Sequence, residues 1–242
     1  MKVRIAVSVI LTGVLSIAAL ASDVTKVAPI EKLQCSMDSS ALFKKSKQLF
    51  VKKSINHADE PPFMNGEPNH LRIQFDNDKL SDYVDYLQRQ LLVYPIDSYA
   101  QLFHGKEKQA FDKVIPALKK ISQTHPATVS PEISCLPTAE AAQLFRSQIK
   151  YLKFKNGAGV AFVTRYAQDI TPTKNGDLFY TYQGITDDGK YYVALYYPVN
   201  APGLPANAPI KKSTAYLDKL ERNKFKPDLD QVDKLIQSIS IK

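Results

Sequence analysis

Cysteine and histidine are scarce in this chain of 242 residues, which has two of the first and four of the second. Two cysteines exclude a disulfide-dense scaffold, and Cys35 and Cys135 lie too far apart for the Cys-x-x-Cys arrangement that lowers a thiol's pKa for redox work. His57, His70, His104 and His125 fall into neither the His-x-x-x-His nor the Cys/His spacing of a zinc site. Gly-x-Ser-x-Gly is missing as well, and no catalytic motif surrounds either cysteine, so a nucleophilic hydrolase has no local signature here. After residue 22 every apolar run is broken within about a dozen residues, which is short of the ~20 that span a bilayer, so no later transmembrane span is expected. There is no Gly/Ser-rich linker and no nucleic-acid motif.

What is present begins at the first residues. "MKVRIAVSVILTGVLSIAALAS" has a basic start at Lys2 and Arg4, an apolar run over residues 5–18, and a small-x-small site at Ala19-Leu20-Ala21. This pattern predicts a secretory signal peptide over residues 1–21, cut between Ala21 and Ser22, the alternative being an uncleaved anchor. Residues 22–242 are then expected as one exported domain, periplasmic or extracellular. The formal charge is +8, of which Lys2 and Arg4 supply two. That excess favours anionic envelope surfaces without choosing a partner. In an oxidising compartment an even pair of cysteines predicts one Cys35 to Cys135 disulfide, against the alternative of two buried thiols.

Local patterning predicts an α+β fold. "LRIQF" and "QLLVYPI" read as strands, and "KLSDYVDYLQRQ" between them reads equally as a helix or an irregular crossover. Residues 97–123 carry helical spacing, with Asp97 as a cap and Pro116 expected to kink or split the run. "TAEAAQLFRSQ" reads as a further helix capped by Thr138. The basic run Lys44, Lys45, Lys47, Lys52, Lys53 reads as a solvated helix face. Asn156-Gly157, Asn175-Gly176 and Asp188-Gly189 each separate two β-rich runs and predict hairpin turns, giving a four-stranded antiparallel meander. "TAYLDKLERN" and "DLDQVDKLIQSI" close the chain as helices, the second with Asp228 and Gln231 spaced for a capping box. An antiparallel sheet of about six strands flanked by helices follows, with an α/β/α sandwich as one form of it.

The richest stretch is "LFYTYQGITDDGKYYVALYYPV", with six tyrosines around one Asp-Gly turn. A tyrosine buries a large apolar body but needs a partner for its hydroxyl, so Tyr180, Tyr182, Tyr192 and Tyr196 are candidates either for a core or for a binding face. Asp187 and Asp188 fit turn chemistry, and the His57, Asp59, Glu60 and His70 group fits a solvated loop. Residues 141–205 resemble a family of uncharacterised exported bacterial proteins that carry a phrase close to "LFYTFQGLTDDGKYYV", and "LLVYPIDSYAQL" is similar to an upstream element of the same family. The resemblance implies export and assigns no chemistry. The meander with its closing helix is also similar to the photosystem P-subunit fold. The expectation is a non-catalytic envelope protein without a cofactor, binding a protein or small ligand through the tyrosine-bearing sheet or the loop at residues 60–70. The alternative is a hydrolase or other enzyme whose site is assembled from distant residues.

Overall fold

The computed structural model describes residues 29–54, 66–81, 84–127, 135–137 and 141–242. In chain order the strands are β1 (Cys35–Ser36), β2 (Ser46–Val51), β3 (His70–Phe75), β4 (Gln90–Pro95), β5 (Ala142–Gln143), β6 (Ser147–Phe154), β7 (Gly157–Thr164), β8 (Tyr166–Ala167), β9 (Phe179–Thr186), β10 (Tyr191–Pro198) and β11 (Ser240–Ile241). The α-helices are α1 (Ile96–Ala100), α2 (Gly105–Thr124), α3 (Ile210–Lys219) and α4 (Leu229–Ser238). Seven strands form one sheet in the order β2-β3-β4-β10-β9-β7-β6, and each neighbouring pair is antiparallel. The expected meander is β6-β7-β9-β10, and β10 then receives β4 on its free side. The fold is α+β, one strand larger than anticipated.

The extra strand is β2, which occupies the basic run read as a helix face. Its register runs Ser46 to Phe75 through Val51 to His70, so pairing with β3 sets its conformation rather than local preference. It is the sheet's edge, with Lys47 exposed, and a lysine there discourages pairing with a foreign strand.

Helices cover both faces. One core gathers Leu217 of α3 and Leu229, Val232, Leu235 and Ile236 of α4 against Val163, Tyr180, Val193 and Leu195. The other gathers Tyr99, Phe111 and Leu118 of α1 and α2 against Leu92, Tyr94, Phe162 and Tyr192. That is why β9 and β10 read as nearly unbroken apolar runs: a strand with both faces buried has no polar side to alternate with. Tyr191, Val193, Leu195 and Tyr197 enter the first core, while Tyr192, Ala194 and Tyr196 enter the second, following the period of two along the strand.

Four local expectations differ from what forms. Asp97 caps no helix: it lies inside α1, whose N-cap is Pro95 with no side-chain hydrogen bond. α2 runs unbroken through Pro116, which lies on the exposed side while Phe111 and Leu118 are buried, so the lost helical hydrogen bond falls on the solvent side. The segment read as a helix after Pro137 is instead β5, a short coil and the start of β6. Ala142 and Gln143 pair with Ala167 and Tyr166, and the Leu144 N–H donates to the Arg165 carbonyl at 3.2 Å, so sheet contacts override helical propensity. Thr138 lies outside the described residues. At α4 the Asp228 carboxylate caps the Asp230 N–H at 2.8 Å rather than forming a box with Gln231. Among the described residues no helix is long and apolar enough to cross a membrane.

Candidate functional site

The four tyrosines do not form a shared face. Tyr180 and Tyr182 point into the α3/α4 core and Tyr192 and Tyr196 into the α1/α2 core, and none of them is exposed. Each hydroxyl has an interior partner. Tyr180 donates to Asp233 Oδ1 at 2.6 Å, Tyr182 to the Leu152 carbonyl at 3.2 Å, Tyr192 to Gln183 Oε1 at 2.5 Å and Tyr196 to the Leu136 carbonyl at 2.7 Å. Burial drives all four phenols well above their ordinary pKa, so they stay neutral at physiological pH. The binding-face reading of these residues is corrected: satisfied hydroxyls inside two cores make them structural.

The expected disulfide is corrected as well. Cys35 belongs to the α3/α4 core and Cys135 to the α1/α2 core, so the sheet stands between two buried thiols. Burial pushes Cys35 up to about 12 and Cys135 up to about 11, which leaves neither with thiolate character. His70 is not in a solvated loop. It opens β3 at 1% exposure, with Nδ1 2.8 Å from the Pro68 carbonyl and its ring 4.7 Å from that of Tyr94. Burial lowers its pKa. His57, Asp59, Glu60, Ala21 and Ser22 lie outside the described residues. Asp188 accepts from the Thr186 hydroxyl at 2.6 Å and the Lys190 N–H at 3.0 Å, as a turn residue does, while Asp187 is exposed beside it. Among the described residues no group of three His, Cys, Asp or Glu is placed to hold a metal ion.

Concavity appears where the sequence pattern suggested another hairpin. Asn175-Gly176 is not a tight turn between strands but part of a 3₁₀ turn, and the chain from β7 to β9 makes a long excursion through β8. That excursion, the turn at Asp85-Tyr86-Leu87 and Asn207 line an open cavity of about 620 Å³. Its floor is aromatic: Tyr86 lies 4.9 Å from Tyr166 and 5.8 Å from Phe179, and Tyr166 lies 5.6 Å from Phe179, between ring centroids. Tyr86 turns its hydroxyl to the Pro137 carbonyl at 3.1 Å and Tyr166 bonds Cys135, so the rings rather than the hydroxyls are left for the cavity. Burial pushes both phenols well above their ordinary value.

Arg165 holds the wall. At 2% exposure its guanidinium donates to the Pro172 carbonyl at 2.8 Å, the Thr171 carbonyl at 3.2 Å and the Thr171 hydroxyl at 2.7 Å, and faces Asp177 at 3.3 Å. One buried arginine therefore fixes the loop by its fork of donors. Three large apolar side chains are exposed among the described residues, Phe50, Leu87 and Ile170, and one of them belongs to this cavity. Leu87, 45% exposed, lines it, and Ile170, 87% exposed, directly precedes Thr171 in its wall. The described lining contains no His, Cys or Ser. A second hollow of about 500 Å³, bordered by Lys119, His125, Lys153 and Asp187, has no Phe or Tyr among its described lining.

Searches among protein families, curated proteins and solved structures find no match to this chain.

Proposed function

We propose that the protein is exported by its N-terminal signal segment and acts in the envelope as a non-catalytic binding module. It takes a small ligand with an apolar body onto the rings of Tyr86, Tyr166 and Phe179. The observation that carries this reading is the exposed Leu87 beside an aromatic floor. Leu87 gains nothing from water, and a concave site with apolar walls and a few fixed polar groups is the usual form of a small-molecule pocket. The likeness of residues 141–205 to exported proteins belongs to the same reading.

Phenylnaphthylamine, an uncharged probe that brightens in apolar surroundings, tests it. The purified protein should enhance its fluorescence saturably, and Leu87→Glu should weaken binding with the melting temperature unchanged. Probe affinity indifferent to that substitution would remove this cavity as the site.

A further inference from the structure

The polar groups of the same cavity restrict the ligand further, and we infer that it is an acidic amphiphile: an apolar body bearing one carboxylate, sulfonate or phosphate-type group that meets Lys174. This rests on the pocket proposed above. Four charged residues line the cavity, Asp85, Arg165, Lys174 and Asp177. Arg165 has its terminal nitrogens committed to the Thr171 and Pro172 carbonyls, the Thr171 hydroxyl and the Asp177 carboxylate. Its Nε is sealed from solvent without a partner, so no ligand reaches that donor while the loop keeps this form. Asp177 is thereby matched, and it also accepts from the Lys174 backbone N–H at 3.2 Å. Asp85 uses one oxygen to accept the Leu87 N–H at 2.8 Å, which shapes the turn carrying Leu87.

Lys174 differs from the other three. It lines the cavity and is exposed, and like Asp85 it makes no ion pair among the described residues; the Asp85 carboxylate, however, is half-buried and already accepts the Leu87 N–H. The phenols are turned into the core, so the ammonium is the strong donor the site offers to an incoming group. An apolar body on the rings with an anion at the rim satisfies both halves at once, whereas a cationic headgroup would face an ammonium and share the half-buried Asp85 carboxylate with the Leu87 N–H. The chain's positive excess adds a long-range bias in the same direction.

A matched pair of probes separates the two halves. Anilinonaphthalene sulfonate is phenylnaphthylamine with a sulfonate added, so comparison isolates the acid. At low ionic strength the sulfonate should bind about fivefold more tightly than the uncharged probe, the scale of one partly exposed ion pair. Lys174→Gln should abolish that difference and Lys174→Glu reverse it, while Leu87→Glu should weaken both probes. Equal affinities in the wild type, or a preference for the sulfonate that survives Lys174→Gln, would overturn the acidic-ligand inference. Binding of the uncharged probe that still responds to Leu87→Glu would then leave the pocket standing. Lys174 is exposed, so its variants should retain the wild-type melting curve, and that curve is measured alongside.

Discussion

Tyr180 on β9 donates its hydroxyl to Asp233 on α4 at 2.6 Å, joining the middle of the sheet to the helix that covers it. Asp233 is 3% exposed and its other oxygen receives Arg222 Nη2 and Lys150 Nζ, each at 2.6 Å. The guanidinium also lies 5.6 Å from the Tyr180 ring centroid. Tyr180→Phe should therefore cost about 1–2 kcal/mol, the worth of a buried hydrogen bond to a charged acceptor. Asp233→Leu should cost more, about 2–4 kcal/mol, but short of a fully buried broken pair, because Arg222 and Lys150 keep access to water. Denaturant midpoints check both, and a Tyr180→Phe midpoint equal to wild type would show that the hydroxyl contributes nothing.

Alkaline stability follows from the same burial repeated. Tyr94, Tyr99, Tyr166, Tyr180, Tyr182, Tyr192 and Tyr196 all have phenol pKa values raised by desolvation. In the unfolded chain they ionise near pH 10, while in the fold they hold their protons, so above about pH 10 the unfolded state binds fewer protons. Their contribution is intact below that pH and is lost as pH rises through it, at about 1.4 kcal/mol per pH unit for each tyrosine held neutral. Tyrosinate absorbance should rise in a steep step that coincides with loss of the far-ultraviolet circular dichroism. A smooth titration of all 13 tyrosines near pH 10, with the fold intact, would contradict this.

Cys35 and Cys135 should behave as slow, buried thiols. Alkylation of the native protein should proceed slowly at both, and denaturation without reductant should expose two modifiable groups per chain. Electrophoretic mobility should not depend on reductant. Recovery of a peptide linking the two cysteines would place them on one side of the sheet, against their separation into two cores.

Protein recovered from the envelope should begin at Ser22, with its mass lacking residues 1–21. An intact Met1 on that material would refute cleavage at Ala21.

The meander was legible because β6, β7, β9 and β10 carry the information locally: long β-branched and aromatic runs, with Asp188-Gly189 supplying the reversal. β3, β4 and α4 were legible for the same reason. β2 and β5 were not, since "SKQLFV" and "AQ" become strands only by pairing with β3 and β8. The site was the least legible part. Tyr86 is far in sequence from Arg165, Lys174 and Phe179, and the loop that links the last three runs through a dipeptide, Asn175-Gly176, whose hairpin signal is not realised. The tyrosine-rich motif is conspicuous by composition, yet composition does not fix that Tyr180, Tyr182, Tyr192 and Tyr196 each find a hydroxyl partner inside. Arg165 after the apolar run "VAFVT" was a usable hint, as a charge ending a buried strand either reaches solvent or organises a loop.

Glycine gives the sharpest contrast between what a turn motif advertises and what packing demands. Gly189 has φ +72°, as its Asp-Gly turn implies, and a side chain added there would meet only the mobile Lys119 ammonium at 3.0 Å. Gly189→Val should therefore cost about 1–3 kcal/mol, mainly from holding a β-branched residue at positive φ. Gly159, inside β7, belongs to no turn. It pairs with Gly184 of β9, and a Cβ on it would collide with the Gln183 carbonyl and lie 2.5 Å from the Gly184 Cα. Those are backbone atoms in the middle of a seven-stranded sheet, so they cannot swing aside as the Lys119 chain can. Gly159→Ala should thus be the more damaging change despite adding a single methyl group, at about 3 kcal/mol or more, because relief requires the β7–β9 ladder to separate. Thermal melts of the two variants side by side decide the order. A Gly159→Ala protein at least as stable as Gly189→Val would mean that the two strands can move apart at that point without loss.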